Sequence, residues 1–211
     1  MADYSAEEEQ LEKVKEWWRE NRNYVIAGVV LGLLAVFGWR GWETHTRTLA
    51  EEGSMHFENL HVAVQMGQYE QAAGVALDLR EHYARTPYAA LGSLVVARAA
   101  LDAGETEMAL ESLRWAMDNA RSREIQGLAR LRLARVKFDQ QDSEAALALL
   151  ERPPRQTFAS AYAELRGDIH AAEGRVEKAR EAYQIALDAG EDRDNLGLLR
   201  MKLDAMGGPQ E

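Results

Sequence analysis

Four stretches of this chain repeat one pattern, and that pattern leaves few ways to fold. "MGQYEQAAGVAL" begins at Met66, "AGETEMALESL" at Ala103, "QQDSEAALALL" at Gln140 and "EGRVEKAREAY" at Glu173. Aligned, they place Gly67, Gly104, Gln141 and Gly174 at one position, at spacings of 37, 37 and 33 residues. Five residues on stand Ala72, Ala109, Ala146 and Ala179, and four further stand Ala76, Leu113, Leu150 and Tyr183. A glycine allows the sharp reversal between two antiparallel helices. The alanine marks the place where the second helix crosses the first, and a larger group there would push them apart. The larger apolar residue fills the seam to the next unit. Apolar residues recur at helical spacing around these points, with no alternating strand pattern. Such units cannot bury their faces alone, so they stack into a solenoid. The third unit departs most, with Gln141 at its turn and "RPP" where its second helix should be closing. A C-terminal helix near residues 195–206 is expected to cover the open end.

A different feature precedes the repeats. Tyr24 to Trp39 is 16 residues without a charge, or about 24 Å of helix. A hydrocarbon core is about 30 Å thick. Arg40 can snorkel outward to help close the gap, and Tyr24, Trp39 and Trp42 suit the interfaces. The run has no polar stripe, as a core helix would, and about 23 residues, many acidic, precede it, unlike a secretory signal. It is therefore expected to be an uncleaved anchor over residues 24–42. Lys13, Lys15, Arg19 and Arg22 lie before the run, against Arg40 and Arg47 after it. The cation rule then places residues 1–23 in the cytoplasm and residues 43–211 outside. In "LEKVKEWW", Leu11, Val14, Trp17 and Trp18 fall close together on a helix surface, which fits a short interfacial helix or an ordinary solvated one, parted from the span by the polar "RENRN". Gly28 and Gly32 form a G-x-x-x-G continued by Ala35, a ridge against which another helix can pack.

Composition narrows the function classes. The formal net charge of −10 argues against nucleic acid as a partner, because a phosphate binder needs a basic face. With no cysteine, disulfides, thiol catalysis and thiolate metal sites are excluded. No phosphate-binding loop, nucleophile elbow or zinc-binding H-E-x-x-H appears. His56 and His61 are badly spaced for one helix face, and Glu164, Asp168 and His170 fall on the first helix of a repeat with Arg166 beside them, where a solvated face is expected. The acid runs "AEEEQ" and "GEDRDN" read as solvated termini or loops. No enzyme, cofactor, metal or small-molecule site is expected.

The last unit, "AELRGDIHAAEGRVEKAREAYQIAL", resembles a tetratricopeptide repeat: Gly167, Gly174, Ala179, Tyr183 and Ala186 stand at that motif's small and aromatic positions. Taken whole, the chain resembles the YfgM-like family of ancillary SecYEG translocon subunits. The residues that carry the likeness are the acidic N-terminus with "VKEWW", "GVVLGLLAVFGWRGW", and "YAALGSL", "LRLARV" and "LRGD" in the repeats. The resemblance implies an all-α protein of the bacterial inner membrane, with a single N-terminal transmembrane helix followed by a periplasmic tetratricopeptide-like solenoid. It also implies protein partners, namely the SecYEG translocon and periplasmic chaperones that meet emerging proteins. The residues themselves equally allow a scaffold for another envelope machine, such as outer-membrane or cell-wall assembly, and an enzyme-regulatory domain would need a polar constellation that is missing.

In such solenoids the first helix of each unit lines the concave face. One lining position is His61, Arg98, Arg135 and Asp168; three residues later come Val64, Leu101, Phe138 and Ala171; an earlier one is Phe57, Leu94, Leu131 and Glu164. The leucines Leu94 and Leu131 are expected to pack between helices. Arg98 and Arg135 are the expected partner contacts, flanking an apolar groove made with Phe57, Leu101 and Phe138, because buried arginines are costly without partners. The ridge at Gly28 and Gly32 is the expected place for helix packing within the membrane.

Overall fold

The computed structural model describes residues 2–153, 155–190 and 193–207, with side chains placed from residue 15 onward except at 193–195. Among them the chain is helical throughout, with no strand. Helix α1 spans Ala2–Gln65, followed by α2 (Tyr69–His82), α3 (Pro87–Asp102), α4 (Thr106–Asn119), α5 (Arg123–Asp139), α6 (Ser143–Leu149), α7 (Ala159–Ala172), α8 (Val176–Ala189) and α9 (Arg193–Ala205). The expected all-α class holds. The described chain forms two compact units, 1–49 and 50–211, and α1 contributes to both.

In the first unit, α1 carries a segment long and apolar enough to cross a membrane, and none of that segment is buried within the protein. Leu31, Phe37 and Trp39 are 66, 67 and 72 % exposed. A core helix would hide such side chains, so that reading fails. The polar residues 19–23, expected to part a short interfacial helix from the span, are helical themselves, and α1 passes through them unbroken. Neither Pro nor Gly occurs there. Trp17 and Trp18 are about half exposed, whereas the side chains of Leu11, Val14 and the "AEEEQ" run lie outside the described residues, as do Glu191 and Asp192 of the second acid run.

The second unit is built of consecutive hairpins: the end of α1 with α2, α3 with α4, α5 with α6, and α7 with α8, closed by α9 packing on α8. The reversals share one geometry. Gly67, Gly104 and Gly174 have φ of 70, 82 and 71°, and Gln141 follows them at 64°. At each turn this residue donates its N–H to the carbonyl three back, as from Gly67 to Val64 at 3.0 Å and Gln141 to Phe138 at 2.8 Å. The next residue donates five back, as from Gln68 to Ala63 and from Asp142 to Lys137, both at 2.9 Å. This paired closure satisfies carbonyls that the end of a helix leaves open. It fixes the register of the third unit, where sequence alone gave a polar residue at a glycine position.

The crossing alanines Ala72, Ala109, Ala146 and Ala179 are at most 1 % exposed. Seven residues before each turn stand Leu60, Ala97, Ala134 and Gly167, and nine after it Ala76, Leu113, Leu150 and Tyr183. The two rows trade volume. Large Leu60 shares a buried cluster with small Ala76, whereas small Ala97 and Ala134 share theirs with Leu113 and Leu150. Gly167 is the extreme case, packed directly against the ring of Tyr183. Close packing tolerates neither two large groups nor two small ones at such a seam.

The third hairpin is cut short. Its second helix, α6, has seven residues and ends before Leu150, which is itself fully buried. Pro153 cannot continue a helix, and the chain re-enters through a 3₁₀ turn at Gln156–Phe158. The Arg155 to Glu124 ion pair at 2.6 Å and the bond from Tyr162 Oη to the Gly127 carbonyl at 3.1 Å hold this crossing against α5.

Candidate functional site

The first helices of successive hairpins expose one face each, and between them lie two adjoining clefts. One, of about 420 Å³, is lined by Phe57, His61 and Val64 of α1, by Leu94 and Arg98 of α3, and by Leu128 and Arg132 of α5, among others. The other, of about 490 Å³, is lined by Arg98, Leu101, Arg132, Arg135, Val136 and Asp139, with Leu113 behind. Arg98 and Arg132 belong to both. These volumes fall in the range of ordinary ligand pockets, and each cleft draws its lining from three helices.

The structure gathers Phe57, Arg98, Leu101 and Arg135 along these clefts. Phe138 is set apart: it is half-buried and packs against the third core cluster, around Leu131, Ala134 and Ala146. Leu94 and Leu131 are core residues, 4 and 8 % exposed. The arginines are exposed and not buried, unlike the expectation for this position. The Arg98 side chain is 75 % exposed and pairs with Asp102 one turn on, at 3.0 Å. That hydrogen bond, and then the charge of Asp102, push the Arg98 guanidinium above its ordinary value. Arg135 is exposed as well. A first helix turns its long polar side chains outward over the groove, so an arginine can line it without losing water.

Arg132 is the residue that the repeat alignment missed. It aligns with Val95 of the previous unit, so no repeated cation announces it; its only sequence mark is a place three residues, one helical turn, before Arg135. Desolvation on its groove side, then the charges of Arg98 and Arg135, hold its guanidinium below the ordinary value. Three cations thus share one stretch of groove. Asp102 answers one of them, and neither Arg132 nor Arg135 has an ion pair among the described residues.

Glu164, Asp168 and His170 do not share a solvated face. Lys202 of α9 reaches Glu164 at 2.8 Å and Asp168 at 2.7 Å, and Tyr183 Oη donates to Asp168 at 2.9 Å. The acidic end of the first-helix row is therefore occupied by the closing helix. His170 points elsewhere, into a recess with Arg166 and Arg175; burial, then Arg175, Lys178 and Arg166, push its imidazole below the ordinary value. His56 bonds Asp78 at 3.1 Å and His61 meets the Phe57 ring edge-on. Among the described residues with placed side chains, no group of three or more metal-ligating residues occurs. Gly28 and Gly32 sit one turn apart in α1 with open space over both.

The model of a tetratricopeptide repeat-like domain family matches residues 15–208. The chain is 28 % identical over 204 residues to the ancillary SecYEG translocon subunit of Escherichia coli (strain K12), covering 97 % of this chain and 98 % of that one. It is 31 % identical over 201 residues to the ancillary SecYEG translocon subunit of Aggregatibacter actinomycetemcomitans, with 95 % of each covered. For the subunit of Neisseria gonorrhoeae (strain ATCC 700825 / FA 1090) the identity is 28 % over 209 residues, 98 % of this chain and 100 % of that one. The likeness thus takes in both the apolar segment and the hairpins, and the chain belongs to the membrane-anchored, tetratricopeptide repeat-like family of ancillary SecYEG translocon subunits.

Proposed function

We propose that this chain is a single-pass scaffold of the bacterial inner membrane that works beside the SecYEG translocon and links it to periplasmic chaperones and emerging clients. Residues 1–23 stand in the cytoplasm, residues 24–42 span the bilayer, and residues 43–211 stand in the periplasm, in line with the four cations before the uncharged run at 24–39 and the two after it. The carrying observation is coverage: the likeness to translocon subunits extends over at least 95 % of this chain. The work is binding, not catalysis. The groove at Phe57, Arg98, Leu101 and Arg135 is the proposed partner surface, and Gly28 and Gly32 the proposed contact within the membrane.

Two measurements test this. A reporter active only in the periplasm, fused after Glu211, should be active; activity of a cytoplasm-only reporter overturns the topology. Photo-crosslinkers placed at Ile26, Leu101 and Arg135 in native membranes should capture translocon subunits or periplasmic chaperones. Capture of outer-membrane or cell-wall assembly proteins alone overturns the translocon reading.

A further inference from the structure

The groove also carries information about what it holds, taking as given the reading that it binds protein. Its floor is apolar, with Phe57, Leu94, Leu128 and Leu101 along the two clefts. Above that floor stand three guanidinium groups in a chain whose formal net charge is −10. Arg98 is answered by Asp102. Arg132 and Arg135 line one cleft together and have no ion pair among the described residues, and the charges of Arg98 and Arg135 both act against the Arg132 cation. Like charges held together over an apolar floor are relieved when an anion arrives. Arginine presents a planar fork of donors that matches a carboxylate. Asp139, at the rim of the same cleft, repels a second anion and so favours one carboxylate over a dense acidic run.

We propose that this groove receives a partner segment in which one aspartate or glutamate stands beside a bulky apolar side chain, with Arg132 and Arg135 holding the carboxylate and the Phe57–Leu94–Leu128 floor taking the apolar group. Arg132 is a recognition residue on the same footing as Arg135, and Arg98, already paired, contributes less.

The test uses the full chain in lipid nanodiscs and three fluorescent dodecapeptides read by anisotropy: one with a single Glu–Leu pair in a Gly–Ser background, the same with Gln for Glu, and the same with Ser for Leu. The Glu–Leu peptide should bind, and each of the others should bind about tenfold or more weakly, the weight of one charge-assisted bond or one buried side chain. Arg132→Gln and Arg135→Gln should each raise the Kd for the Glu–Leu peptide about tenfold, with Arg98→Gln changing it less, and added salt should weaken binding. Unchanged melting by circular dichroism certifies the variants. If one fails to fold, Arg132→Lys, which keeps the charge and loses the fork, should still weaken binding, and the comparison of peptides on the unsubstituted protein stands by itself. Equal binding of the Glu and Gln peptides, no binding of the Glu–Leu peptide, or folded variants with unaltered Kd overturns the proposal. So does self-association of the chain that the same variants abolish, which would assign the groove to a second copy. SecYEG copurification from the same membranes separates the two readings: its absence with peptide binding intact counts against the translocon reading alone, and its presence with no selectivity for Glu over Gln counts against this one alone.

Discussion

Lys202 lies 2.7 Å from Asp168 across 34 residues of sequence, and the contact fastens the closing helix to the hairpin beneath it. The ammonium also meets Glu164 at 2.8 Å, and Tyr183 donates to the same Asp168. Removing the cation leaves two half-buried carboxylates facing each other. Lys202→Met should therefore cost about 1–3 kcal/mol, a fall in Tm of several degrees for a domain of this size. Amide exchange should quicken in α9 before it quickens elsewhere. Uniform loss of protection along the hairpins would show that α9 is not held separately at this point.

Gly167 and Tyr183 make a second, steric pair. A Cβ on Gly167 would run into Cε1 and Cδ1 of the ring. Helix propensity alone favours Gly→Ala by about 1 kcal/mol, but overpacking a seam costs about 1–3 kcal/mol. Gly167→Ala should thus destabilise the protein, and in a Tyr183→Ala background the same change should stabilise it. A double-mutant cycle by urea unfolding reads the reversal of sign; additive effects would mean that the ring moves aside freely.

At Gln141 the backbone adopts φ 64° where its counterparts are glycines. The left-handed conformation costs a non-glycine residue about 1–2 kcal/mol. Glycine loses more freedom on folding, which offsets part of that. Gln141→Gly should stabilise the domain by up to about 1 kcal/mol, seen as a Tm rise of about 2–4 °C. An unchanged or lower Tm would mean that the side chain of Gln141 contributes more than its backbone loses.

His170 gives the domain a dependence on mild acid. Burial, then Arg175, Lys178 and Arg166, depress its folded value below the ordinary 6.5. The unfolded chain therefore takes up this proton first, so the contribution of His170 is complete above about pH 6.5 and is lost as pH falls through the depressed value. Thermal unfolding between pH 7.5 and 5 should show a falling Tm, and His170→Gln should flatten that slope. Equal slopes for the two proteins would remove His170 as the cause.

The sequence disclosed what backbone geometry repeats. The turns at 67, 104, 141 and 174 and the alanines after them were legible because each hairpin needs a left-handed residue and a small crossing residue at a fixed distance. The groove was legible in part, since Phe57, Arg98, Leu101 and Arg135 inherit their places from that same register. Arg132 was not, because it departs from the repeat. Phe138 follows the repeat yet packs against the third core cluster, a side-chain choice that the spacing does not encode. Lys202 was invisible for a different reason: contacts across 34 and 38 residues join the closing helix to the last hairpin, and no periodicity encodes them.

The traded volumes at the seams bear on how this gene can change. Repeat arrays ordinarily grow and shrink by unequal crossing-over between similar copies. A crossover joining the turn at Gly67 to that at Gly104 would keep the helical reading frame and a glycine at the turn, yet bring Leu60 into the seam of Leu113. A crossover between the turns at Gln141 and Gly174 would set Ala134 against Tyr183, whose ring now rests on a glycine. The first product puts two large side chains where one fits, and the second adds a methyl group where none fits. The copies at the two ends can no longer be exchanged with their neighbours, whereas a crossover between the turns at Gly104 and Gln141 would set Ala97 against Leu150 and keep the small-to-large match, so packing resists a change of hairpin number at the ends of the array and permits it in the middle.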